Sequence, residues 1–249
     1  MSVTHRRPPA DGVADVWFLD RPASMDLVDR WIAVLDDEER ARADEFRTPE
    51  LRARHVAAHA LVRTALSAYA PVPPEGWRYA RGPGGQPTLL GAPLDLHFSL
   101  SHSGTHAAVA VTVGRPVGLD LEEVDAGRDV LALAERFFTR SEQMQLRDCG
   151  VARRDTAFTT LWTVKEAVLK ACGLGLGAGL QTVEASLDAQ GRLTSVVAPG
   201  GPWSAVVWEP VPDLRAALAV AAASGIALRV LRASPLEAAV EAPELAPGT

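Results

Sequence analysis

Thr156-Ala157-Phe158-Thr159-Thr160-Leu161-Trp162-Thr163-Val164-Lys165-Glu166-Ala167-Val168-Leu169-Lys170-Ala171-Cys172 reads as one long helix, and strands follow it near 182–187, 204–208 and 216–223. The first half has the same order. A helical pattern runs from Asp36 to Ala70, divided at Pro49, which suits an N-terminal turn. Short strands at 77–80, 87–90, 96–100, 107–113 and 117–122 come after it, separated by Gly/Pro turns. Further helices are expected at 130–135 and 141–149. Helices followed by strands, twice, predict an α+β fold rather than a doubly wound parallel sheet. The expected organisation is two similar, pseudo-symmetric halves packed side by side, 1–115 and 116–232, with the active site at their interface. Residues 233–249, rich in Ala, Pro and Glu, read as a flexible tail.

Composition narrows the function. The 249 residues are 47% hydrophobic and 22% charged, ordinary values for a soluble globular chain. A net charge of −6 argues against a general nucleic-acid binder. The polar stretch from Met1 to Asp11 lacks an apolar export segment, and the apolar run 216–228 is too short to span a bilayer. Cys149 and Cys172 match no metal spacing and suggest no disulfide framework. Together these point to a cytoplasmic protein without membrane or nucleic-acid partners.

Basic residues are distributed unevenly. The only two lysines, Lys165 and Lys170, fall in the long helix, and every other basic residue among the 25 is arginine. Lysine meets a phosphate as a compact point charge, whereas arginine offers a planar fork. Glu166 and Lys170 are four apart and share a helix face, and Trp162 precedes Glu166 by the same interval. Lys165 points about 100° away.

Carboxylates form a second pattern in Val117-Gly118-Leu119-Asp120-Leu121-Glu122. On a strand, Leu119 and Leu121 share one face, and Asp120 and Glu122 share the other. Two such carboxylates can converge on a hard cation through oxygen ligands, or can simply face water at a sheet edge. A third element, His97-Phe98-Ser99-Leu100-Ser101-His102-Ser103-Gly104, reads as a strand with Phe98 and Leu100 toward the core and a polar tip. Ser101 and His102 there could donate to phosphate oxygens. Arg81-Gly82-Pro83-Gly84-Gly85-Gln86-Pro87 is a tight loop whose backbone can approach a ligand closely. The glycine-rich run Gly173 to Gly179 follows a helix, so it reads as a terminator rather than a phosphate cradle.

In this order and spacing, the segments 98–103, 117–122, Arg136-Phe137-Phe138 and 162–170 resemble the 4′-phosphopantetheinyl transferases of the larger, two-halved, surfactin-synthetase-activating type. The resemblance covers roughly residues 36 to 230. It implies transfer of the phosphopantetheine arm of coenzyme A to a serine of an apo acyl or peptidyl carrier protein by a monomeric enzyme. By analogy Asp120, Glu122 and Glu166 would hold Mg²⁺, with Glu166 and Lys170 carrying the chemistry. Lys170, Ser101 and His102 would contact the phosphates, while Arg42, Arg81, Gly85 and Gln86 would lie toward the adenosine end. Two departures from the family pattern are Gln86, where lysine is usual, and Ser99, where asparagine is common before the Ser-His pair. A Mg²⁺-dependent diphosphate hydrolase and a non-catalytic carrier-binding module are the competing readings.

Overall fold

The computed structural model describes residues 5–19, 25–82, 84–174 and 179–247. Its strands are β1 (Val13–Leu19), β2 (Tyr79–Arg81), β3 (Pro87–Leu89), β4 (Leu96–Ser103), β5 (His106–Val113), β6 (Val117–Glu123), β7 (Glu184–Leu187), β8 (Leu193–Val197), β9 (Trp203–Trp208), β10 (Leu214–Ala221), β11 (Ala227–Ala233) and β12 (Val240–Glu241). Its helices are α1 (Met25–Ile32), α2 (Asp37–Asp44), α3 (Pro49–Ser67), α4 (Val130–Phe137), α5 (Arg140–Asp148) and α6 (Val151–Cys172).

Two sheets carry the fold. The larger has strand order β12-β11-β1-β5-β4, and the smaller has the order β6-β10-β9. Ala14, Val16 and Phe18 of β1 pack with Leu119, Leu121, Leu218 and Val220 in a core between the sheets. On the outer face of the larger sheet, Trp17 and Leu19 meet α3 through Val56, Leu61 and Leu66. On the outer face of the smaller sheet, Ala217 and Ala219 meet α6 through Leu161, Val164 and Val168. Each sheet thus has a helix on one face and the other sheet on its opposite face, an α+β arrangement of stacked layers.

Helix ends follow their sequence signals. Thr48 caps α3 with Pro49 in its first turn, and Asp36 and Thr139 form capping boxes with Glu39 and Glu142. Gly173, at φ +66°, ends α6 in the left-handed region. Residues 175–178 of the glycine-rich run lie outside the described residues.

The chain ends depart from the sequence expectation. β11 leaves the C-terminal half and pairs in parallel with β1, setting Arg229 opposite Asp15. Beyond it, the segment expected as a flexible tail pairs Val240 and Glu241 with β11 and buries Ala242 and Leu245. Pairing partners more than two hundred residues apart leave no local signature in the sequence.

Candidate active site

Ser101 of β4, Asp120 of β6 and Lys170 of α6 come together where the edges of the two sheets meet. These edges are joined by side chains rather than by a backbone ladder. The hydroxyls of Ser99, Ser101 and Ser103 accept from the backbone N–H groups of Leu119, Leu121 and Glu123 at 2.9, 3.0 and 3.0 Å. Alternate residues of β4 thereby satisfy the outer edge of β6, which would otherwise carry unpaired buried donors. The polar tip foreseen after Leu100 is strand as far as Ser103, because Ser103 pairs with His106 around a turn at Gly104, φ +55°.

Gly118 brings β6 against α6. A Cβ at that position would run into the carbonyl oxygen of Ala167, so only glycine allows the two backbones this close. The approach places Asp120 and Glu122 on the strand face that meets Glu166 and Lys170, while Leu119 and Leu121 fill the core behind.

Lys170 spends its three ammonium protons inside this site. It donates to Asp120 Oδ1 at 2.7 Å, to the Leu119 carbonyl at 3.0 Å and to Ser101 Oγ at 3.1 Å. Ser101 in turn donates to Asp120 Oδ1 at 3.0 Å. Its one donor and two acceptor positions are therefore all used within the protein. Ser101, expected to reach a phosphate, is buried and aims at Asp120 instead, because its strand forms the seam. His102, the next residue, is exposed.

Burial pushes the pKa of all three carboxyls upward. For Asp120 the cause is desolvation, opposed by Lys170. For Glu122 desolvation acts with the charge of Asp120. Glu166 is raised to about 7 by desolvation and by Asp120, with Lys170 opposing and Glu122 adding to the rise. Among the described residues no group of three or more His, Cys, Asp or Glu side chains is drawn together into a ready-made metal cage. Nevertheless Asp120 Oδ2 and Glu166 Oε1 are buried without a hydrogen-bond partner. Two orphaned hard oxygens beside a third carboxylate match the donor preference of magnesium.

The remaining expected residues lie farther along the chain. Arg81 pairs with Glu38, and Arg42 pairs with Glu45 while covering the Phe46 ring at 5.7 Å. Gly85 and Gln86 sit in the turn between β2 and β3, and Gln86 Oε1 accepts from the Gly84 N–H at 3.1 Å. A cleft of about 690 Å³ runs from Gln86 and Pro87 past His97 and Phe98 to Lys170 and Gly173. A larger groove, about 1220 Å³, lies over α5, the first turns of α6 and β9, and includes none of the expected site residues.

Lys165 has a separate role that its sequence position did not reveal. Fully buried, it lies 2.7 Å from both carboxylate oxygens of Glu142 on α5 and also donates to the Val183 carbonyl. Its ammonium lies 5.2 Å from the Phe138 ring centroid. This pair ties α6 to α5 and to the start of β7. Trp162 is half-buried among Phe137, Phe138 and Phe158.

The sequence profile of the 4′-phosphopantetheinyl transferase superfamily matches residues 116–221, which include β6 and α6. The 4′-phosphopantetheinyl transferase HetI of Nostoc sp. is 37% identical over 210 residues, 82% of this chain and 84% of that protein. A 4′-phosphopantetheinyl transferase of Bacillus subtilis is 30% identical over 184 residues, 74% of this chain and 80% of its own. The transferase Sfp of Bacillus subtilis strain 168 is 28% identical over 177 residues, 71% and 77% of the two chains. The holo-[acyl-carrier-protein] synthase of Thermotoga maritima overlays 42% of this chain and 61% of its own, with 25% identity and a TM-score of 0.35. The chain belongs to the 4′-phosphopantetheinyl transferases.

Proposed function

We propose that this enzyme transfers the 4′-phosphopantetheine arm of coenzyme A to a serine hydroxyl of an apo acyl or peptidyl carrier protein. The hydroxyl oxygen attacks the β-phosphorus, the bond to the adenosine-side oxygen breaks, and 3′,5′-ADP leaves. The observation that carries this reading is the pair of orphaned buried oxygens, Asp120 Oδ2 and Glu166 Oε1, next to the Lys170 ammonium.

Asp120, Glu122 and Glu166 would hold Mg²⁺. When bound, that ion neutralises the diphosphate and polarises phosphorus. Lys170 already has three acceptors, so it acts on the diphosphate as a fixed positive charge rather than as a swinging donor. His102, exposed next to Ser101, is the proposed phosphate donor. Glu166 is the proposed acceptor of the serine proton, directly or through a water. Arg42 and Arg81 are assigned to the adenosine end.

The two helix-covered sheets are read as pseudo-symmetric halves meeting at this site, and the enzyme as a cytoplasmic monomer. No helix among the described residues is long and apolar enough to cross a membrane. Following 3′,5′-ADP release with and without an apo carrier tests the function. Release that requires the carrier supports transfer, whereas equal release without it would mark a hydrolase.

A further inference from the structure

Gln86 stands where the family pattern has lysine, and its backbone and side chain close their own turn. The Gly82 N–H donates to the Gln86 carbonyl at 2.8 Å, and the Gly85 N–H donates to the Gly82 carbonyl at 2.9 Å, closing the turn. The side chain folds back over the same turn and accepts from the Gly84 N–H at 3.1 Å.

Three glycines make room for this arrangement. A Cβ on Gly84 would collide with the Gly173 carbonyl, so the turn lies directly on the cap of α6. A Cβ on Gly173 would collide with the Gln86 amide, and so would one on Gly82. Gln86 therefore sits wedged between its own turn and the end of the helix that carries Glu166 and Lys170. Gln86 and Gly173 both line the 690 Å³ cleft, with Lys170 one turn before Gly173.

We propose that Gln86 is a positioning residue, clipping the turn between β2 and β3 onto the Gly173 cap of α6 and so holding one wall of the cleft that reaches Lys170, which is assigned to coenzyme A. This rests on the transferase reading for the identity of the ligand. The geometry of the clip does not depend on it. Coenzyme A recognition at this wall then relies on a fixed backbone shape instead of a side-chain charge.

The test combines amide hydrogen exchange of the free protein with coenzyme A titration and steady-state kinetics at saturating carrier. Gln86→Ala removes one hydrogen bond, so Kd and KM for coenzyme A should rise about three- to ten-fold while kcat changes by less than about two-fold. The Gly84 amide should exchange faster in Gln86→Ala and in Gln86→Lys, neither of which offers an acceptor. Gln86→Glu keeps an acceptor and should keep the protection. Gly84→Ala, which lifts the turn from the cap with Gln86 intact, should raise KM in the same way. Unchanged Gly84 exchange in Gln86→Ala would overturn the proposal, as would a fall in kcat without a change in KM. Should the wild-type protein bind no coenzyme A, the transferase reading fails, and the Gly84 exchange rates still decide whether Gln86 holds the turn closed.

Discussion

Lys170 lies 2.7 Å from Asp120 and joins the end of α6 to the middle of β6 across the site. Because three acceptors converge on one ammonium, a planar guanidinium cannot replace it without losing at least one bond. Lys170→Arg should therefore retain the fold and lower transfer by about a hundred-fold, the lower end of the range seen when one preorganised electrostatic contact is lost. Steady-state loading of a carrier, with circular dichroism as the folding control, checks this. Near-normal turnover would contradict it.

Lys165 predicts the opposite profile. The ion pair with Glu142 is fully buried on both sides. Removing one partner strands a charge, and Lys165→Met should cost about 3–5 kcal/mol in urea unfolding. Changing both, Lys165→Met with Glu142→Leu, should recover part of that loss, since no charge is left unpaired. A double variant less stable than either single one would refute the assignment.

Glu166 should act as a stability cost accepted for function. Burial and the neighbouring carboxylates make its ionised form unfavourable. In EDTA, Glu166→Gln should melt no lower than the wild type, because one like charge has been removed. With magnesium at a hundred times its Kd, the wild type should gain about 2.7 kcal/mol. The variant should gain little. Thermal melts with and without magnesium read both effects, and an equal magnesium shift in the two proteins would count against the site.

Acid should weaken the N-terminal helices. Burial, reinforced by His59, lowers the pKa of His55 from 6.5 to about 4. The unfolded chain thus takes up a proton at higher pH than the folded one. Its contribution to stability is complete above pH 6.5 and is lost as the pH falls toward 4. Denaturant titrations across that window should show a steeper loss for the wild type than for His55→Gln. Parallel curves would place the acid sensitivity elsewhere.

The legible parts of this protein are those whose information is local. α6 shows helical spacing, and β6 alternates leucines with carboxylates, so the faces of Asp120, Glu122, Glu166 and Lys170 follow from periodicity alone. β1 escapes that reading because both its faces are buried, Trp17 and Leu19 in one core and Ala14, Val16 and Phe18 in the other, which erases the period-two alternation. Its partner β11 is invisible for a different reason: the parallel pairing, with Asp15 bonded to Arg229 at 2.8 and 2.6 Å, joins the two ends of the chain. Ser101 looks like a phosphate donor in isolation, and only the seam between the sheets turns it toward Asp120. Lys165 and Glu142 are 23 residues apart on different helices, beyond the reach of any spacing rule.

We propose that Asp120, Glu122 and Glu166 together make this chain a magnesium-dependent carrier-protein modifier. The most direct test is the intact mass of an apo carrier after incubation with coenzyme A and either the wild-type protein or Glu166→Gln, in magnesium and in EDTA. The wild type in magnesium should add one phosphopantetheine group per carrier, and the other three reactions should leave the mass unchanged. An unmodified carrier with the wild type, or near-normal loading by Glu166→Gln, would contradict it.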